Sequence, residues 1–159
     1  MQNYSSINAE ILGASHSLEV FTNTREFVFN EKKGNYFSED ELEEMTIPGE
    51  EVQTLNELIA SGTLNSDELM KRIIDHCNWH RDGCGKERLD SRSLWDDLVI
   101  EKIAVWKEHR KSCQYYGKVK VSLIGDLEIS DPSHGIAITF AGNEIIGTSD
   151  NATWDYPHN

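Results

Sequence analysis

The chain has 159 residues, 38% of them hydrophobic and including four Trp, five Tyr and five Phe, which is enough apolar surface for one ordinary core and too much for a disordered chain. Fifteen basic against twenty-eight acidic side chains leave a formal charge of −13, which argues against direct binding to nucleic acid or anionic lipid. No apolar run approaches the ~18 residues that span a bilayer, the first residues lack the basic and apolar regions of a leader, and three cysteines are too few for a disulfide framework, so one soluble domain over residues 1–159 in a reducing cytoplasm is the expectation.

In chain order, Ile11, Leu18, Val20, Phe27, Val28 and Phe29 fall in short runs broken by Gly13-Ala14-Ser15 and by Thr22-Asn23-Thr24-Arg25, the pattern of a two- or three-stranded N-terminal unit. Ser38-Glu39-Asp40-Glu41 matches a capping box and opens an acidic helix to about Met45, which Ile47-Pro48-Gly49 breaks. Val52, Leu55, Leu58 and Ile59 then recur at helical spacing, and Gly62 stands where a helix C-terminus favours a left-handed residue. Asn65 or Ser66 caps the next helix, with Asp67 and Glu68 in its first turn where the dipole favours acids. Its buried stripe is Leu69, Met70, Ile73, Ile74 and Cys77, and it ends before Asp82-Gly83-Cys84-Gly85, whose two glycines stop it. A polar loop and a short helix from Ser91 through Leu98 follow, and then Ile100, Ile103, Val105 and Trp106 return to a strand pattern.

The last third alternates apolar and polar residues twice, in Lys118-Val119-Lys120-Val121-Ser122-Leu123 and in Ile136-Ala137-Ile138-Thr139-Phe140. Between the second run and Ile145, Ala141-Gly142-Asn143-Glu144 places Gly at the first central position of a type II′ hairpin and sets Phe140 opposite Ile145. The fold class is therefore α+β: N-terminal strands, a helical middle and a C-terminal antiparallel β-meander. Trp79, Trp95 and Trp106 adjoin apolar positions and read as core, whereas Trp154 lies in a polar tail as an exposed anchor or a lid.

Charge is unevenly spread: residues 1–64 carry net −9, residues 65–114 net zero and residues 115–159 net −4. Between Gly34 and Met70 there is no Lys or Arg, while Glu39, Asp40, Glu41, Glu43, Glu44, Glu50, Glu51 and Glu57 crowd together. A solvated helix face interleaves Lys with Glu because i, i+4 pairs support it, so the absence of bases favours a surface for a cationic protein. Glu39, Asp40, Glu41, Glu43, Glu44, Glu50 and Glu51 are its candidate partner-binding residues; the alternative is a face that only keeps the chain soluble.

One cluster bears on metal chemistry. On a continuing helix His76, His80 and Cys84 fall at i, i+4 and i+8 on one face, with side chains that zinc prefers. Against this, Gly83 and Gly85 end the helix before Cys84, Cys77 extends the apolar stripe, and no Cys-x2-Cys pair exists, so neither metal nor cofactor is expected. No nucleophile elbow, phosphate loop or calcium loop occurs. Asp131 and His134 could together orient a proton transfer, but an Asp-Pro-Ser-His-Gly run reads first as a turn whose Asp bonds its own backbone. A small metal-binding domain or enzyme using His76, His80 and Cys84 stands as the alternative to a non-catalytic interaction protein.

The segment Asp131-Pro132-Ser133-His134-Gly135-Ile136-Ala137-Ile138-Thr139-Phe140, with its Gly-Asn hairpin behind an acidic helical middle, resembles an uncharacterised family of bacterial immunity-type domains. That family carries a strand of the form Trp-Asp-x-Glu-His-Gly-Ile; here Ser133 stands in place of Glu, and Ile129 or Ser130 in place of Trp. The layout agrees over about residues 46–150 and the motif over 131–147. Such domains are often encoded beside secreted polymorphic or contact-dependent toxins. The resemblance implies a cytoplasmic protein without catalysis that neutralises a partner, and the acidic run then fits a basic toxin domain such as a nuclease.

Overall fold

The computed structural model describes residues 4–22, 49–108 and 110–153. The strand expected around Phe27–Phe29, the acidic helix opening at Ser38 and the Trp154 tail lie outside the described residues. Within them the architecture is α+β: one six-stranded sheet with two helices that precede its last four strands. The strands are β1 (Tyr4–Ile11), β2 (Ala14–Thr22), β3 (Leu98–Lys107), β4 (Val119–Leu127), β5 (Asp131–Ala141) and β6 (Glu144–Ser149). The helices are α1 (Gly49–Ser61) and α2 (Asp67–Gly83). Spatial order follows chain order, and all neighbours are antiparallel except β2 and β3, which run parallel with both helices in the crossover between them. The N-terminal hairpin is thus the flank of a single sheet and not a separate unit.

The hairpins follow the turn chemistry. Ile11 pairs with Ala14 across Leu12 and Gly13, both at positive φ, and the tip is clamped: Leu12 N donates to Leu64 O at 2.9 Å and Gly13 N to the Asn65 side-chain oxygen at 2.8 Å. At the far end Phe140 faces Ile145, Gly142 takes φ +58° and Asn143 stays outside the left-handed region, as a type II′ turn requires.

One face of the sheet, through Val20, Ile103, Val105, Val121, Leu123, Ile138 and Phe140, packs with Leu55 and Leu58 of α1 and Leu69, Ile73 and Cys77 of α2 into the main core. Ser66 caps α2, its hydroxyl accepting from Leu69 N. On α1 the inward face is Glu51, Leu55 and Leu58; Val52, expected to be buried, is 42% exposed. The opposite face of the sheet holds a smaller apolar group, Ala104, Trp106, Ile124 and Ala137. Beside it Trp106 Nε1 donates to Ser122 Oγ at 2.9 Å, and the Lys120 ammonium lies 3.9 Å from the Trp106 ring centroid.

Two local expectations are corrected. Ser91 through Leu98 is not a helix but turns with one 3-10 turn at Leu94–Asp96, because Asp90 captures the chain: its Oδ1 accepts from Arg92 N and Ser93 N. Asp131 through Gly135 is not a turn but the start of β5, with Asp131 paired to Leu127; the reversal is made by Glu128, Ile129 and Ser130. No described helix is long and apolar enough to cross a membrane.

Candidate functional site

The best-defined polar assembly of the described residues lies where the C-terminal half of α2 meets the β4–β5 turn. At its base is Asp97, fully buried just before β3. Its Oδ1 accepts from Ile129 N at 2.7 Å and Ser130 N at 3.0 Å, and its Oδ2 accepts from Arg81 Nη2 at 3.0 Å and from Ser130 Oγ. Arg81 Nε in turn donates to Ser130 Oγ at 2.6 Å and Nη1 to the Glu87 carbonyl at 2.9 Å. Burial by itself would raise the Asp97 pKa, but the bonds from Ser130, Ile129 and Arg81 outweigh it and hold the carboxyl below its ordinary value. The same surroundings push the Cys77 thiol up to about 11, chiefly through burial and then the Asp97 charge, so it remains an inert thiol in the core.

This clamp fixes Ser130 and therefore the direction in which the next residue leaves the turn. Asp131 is 7% exposed and lies beside two histidines of α2. Asp131 Oδ1 lies 3.0 Å from His134 Nδ1, while His80 Nε2 stands 3.2 Å from Asp131 Oδ2 without hydrogen-bond geometry. His76, one turn before His80, has its ring centroid 4.8 Å from that of His80, and its Nε2 is buried without a hydrogen-bond partner. Burial, and next the neighbouring His80, lower the His76 pKa; the Gly135 backbone, Asp131 and Asp150 oppose them without prevailing. His134, outside on β5, has its pKa raised by its hydrogen bond to Asp131 and by that carboxylate's charge.

Gly135, the next residue of β5 after His134, lies close against Gly125 and Asn151. It takes φ +62°, and a Cβ there would stand 2.5 Å from Gly125 O and 2.6 Å from Asn151 Nδ2. Asn151 is itself tied to the sheet, donating to Asp126 Oδ1 at 2.8 Å.

The sequence-derived triad is therefore altered. His76 and His80 do share a face, but Cys84 is exposed past the end of α2, where its backbone N–H bonds back to His80 and Arg81 carbonyls. The group the structure assembles is His76, His80 and Asp131, with donor atoms within 4.8 Å of one another. Sequence reasoning paired Asp131 with His134, which the structure places 3.0 Å apart, but did not join it to His76 and His80 because it belongs to an element more than fifty positions away. Trp79, assigned to the core, is 73% exposed and stands edge-on to His80 with centroids 4.8 Å apart.

Of the candidate partner-binding residues, Glu39, Asp40, Glu41, Glu43 and Glu44 lie outside the described residues. Glu50 is exposed in the first turn of α1, with Lys107 Nζ 3.9 Å away. Glu51 is corrected: it is 2% exposed, and its Oε2 accepts from Thr22 Oγ1 of β2 at 2.6 Å, so it anchors α1 to the sheet and offers no charge to a partner.

Another buried carboxylate, Glu108, serves the sheet. Glu108 Oε1 accepts from Lys120 Nζ at 2.9 Å and from Arg110, whose Nε also reaches Oε2 at 3.1 Å. Burial works to raise its pKa, but these cations outweigh it and hold the carboxyl far below its usual range.

No family model, curated protein or solved structure matches this chain.

Proposed function

We propose that this chain is a non-catalytic, immunity-type protein that binds and neutralises a cationic toxin domain, such as a nuclease, in the cytoplasm. The observation that carries the reading is the one-sided charge: Glu39, Asp40, Glu41, Glu43, Glu44, Glu50 and Glu57 stand in a stretch without Lys or Arg, in a chain of net charge −13. Glu50 and Glu57 add geometric support, since both are exposed on α1, whose last turn holds no basic residue. Such a field repels nucleic acid and speeds encounter with a basic surface, and an acidic inhibitor can occupy the groove in which a basic nuclease holds its substrate. The likeness of residues 131–147 to immunity-type domains points the same way.

The test is to find whether a secreted protein with a basic C-terminal domain is encoded beside this chain and to measure association kinetics against that domain. Converting Glu39, Asp40, Glu43 and Glu50 to Gln or Asn is expected to slow association about tenfold or more and to flatten its dependence on salt, because exposed charges are screened beyond about 8–10 Å. Equal association rates with equal salt slopes would refute an acidic interface, and the absence of any neighbouring toxin domain that binds would refute the immunity reading itself.

A further inference from the structure

We propose that His76, His80 and Asp131 form a three-donor site for a divalent transition-metal ion of the zinc class, with His134 positioning the carboxylate. The proposal goes beyond partner binding and does not rest on it.

Three observations converge. The first is unsatisfied polarity: His76 Nε2 and Asp131 Oδ2 are both buried and both lack a hydrogen-bond partner. Leaving such atoms without a hydrogen bond is unfavourable, and their placement beside a third donor gives a reason for it. The second is spacing. His80 Nε2 and Asp131 Oδ2 are 3.2 Å apart without hydrogen-bond geometry. That is close to the edge of a tetrahedron, about 3.3 Å, whose bonds to a central zinc are about 2.0 Å. One donor atom from each of the three residues falls within 4.8 Å of the others, so a contraction of under two ångströms would close the shell. The third is support behind the donors. His134 Nδ1 engages Asp131 Oδ1 at 3.0 Å, leaving the other oxygen directed at the histidines, and the Arg81–Asp97–Ser130 clamp holds the residue immediately before Asp131. Metal-binding carboxylates are oriented by such outer partners.

The donor set defines the ion. Two imidazole nitrogens and one carboxylate oxygen suit zinc and its transition-metal neighbours; magnesium and calcium demand oxygen shells. A carboxylate in the set offsets part of the ion's charge, and the imidazoles bind as neutral ligands. Three protein donors leave a fourth position for water or an external ligand, unlike closed structural sites of four.

The experiment titrates chelator-treated full-length protein with Zn2+ by calorimetry and with Co2+ by visible absorption, and follows the histidine ring nitrogens of the wild type by NMR. One equivalent of Zn2+, a tetrahedral Co2+ spectrum and shifts of the His76 and His80 ring nitrogens are expected. Asp131→Asn, which keeps the shape, and His80→Ala should each remove stoichiometric binding, and Cys84→Ser should leave it intact. His134→Ala should weaken binding about 10–100-fold. His134→Asn, which restores a donor to Asp131, should recover most of the loss; a merely structural role for His134 would not give that rescue. Sub-stoichiometric binding by the wild type, or no zinc-dependent shift at His76 and His80, overturns the site even if a variant misfolds. Binding that survives Asp131→Asn, or that is abolished by Cys84→Ser, overturns this ligand set.

Discussion

At the scale of single residues, the stability of the molecule leans on a carboxylate that never meets water. Asp97 is 0% exposed and satisfies Arg81, Ser130 and two backbone amides at once. Removing it in Asp97→Ala leaves the Arg81 guanidinium buried beside a hole, and urea melts should register a loss of about 3–5 kcal/mol. The pH dependence has a definite sign. Asp97 and Glu108 are both held below their ordinary values of 3.8 and 4.5, so the unfolded chain takes up their protons first as pH falls. Their contribution is complete above those values and drains away as pH drops through the lowered native ones. The urea midpoint should decline below about pH 4, more shallowly in Asp97→Ala, while between pH 7 and 5 the lowered His76 and the raised His134 act with opposite signs. None of this clamp was legible in the sequence, where Asp97, Arg81 and Ser130 sit on different elements and carry no motif. His76 and His80 were legible, because a four-residue step on a helix is enough to stack two side chains. Cys84 extended that arithmetic past the point where the helix ends.

At the scale of elements, the period-two runs marked the strands and their inward face, but the face they left for solvent is buried too, at Lys120, Ser122 and Thr139, and the turn signals were ambiguous. Phe140 and Ile138 are fully buried on β5 where alternation put them, so Phe140→Ala or Ile138→Ala should cost about 2–5 kcal/mol in a urea melt. A Phe140 variant as stable as wild type would contradict the register. The Asp-Pro-Ser-His-Gly run looked like a turn because its residues are turn formers, yet the reversal comes three residues earlier, where Asp97 from outside the hairpin supplies the acceptor for Ile129 and Ser130. Turn chemistry is local and this partner is not. Gly135 takes its meaning only from the assembled sheet. Gly135→Ala must escape both a left-handed φ of +62° and contacts of 2.5 and 2.6 Å, so a loss of at least about 1–3 kcal/mol is expected in the same melts. The inward face of α1 likewise turned on a partner in β2: Thr22 gives Glu51 a reason to be buried that its neighbours in sequence do not.

For the whole molecule, the sheet carries the fold and the acidic stretch carries net charge. Charge reversal at Glu43 or Glu44 should move the urea midpoint by no more than about 0.5 kcal/mol of stability, in contrast to the core substitutions. A loss of several kcal/mol there would place the acidic stretch inside the folding unit. The α+β class was legible from composition and alternation; the joining of the N-terminal hairpin to the rest was not, because a parallel neighbour leaves no hairpin signal between the strands it unites. That joining also orders events in time. Val20 must wait for Ile103, its partner in the β2–β3 pairing roughly 80 residues later, and at about 5–20 residues per second the ribosome takes about 4–16 s to deliver it. During that interval the nascent hairpin holds Ile11, Leu18 and Val20 with no β3 to close against, so the first sixth of the chain is the part most dependent on protection while translation is still under way.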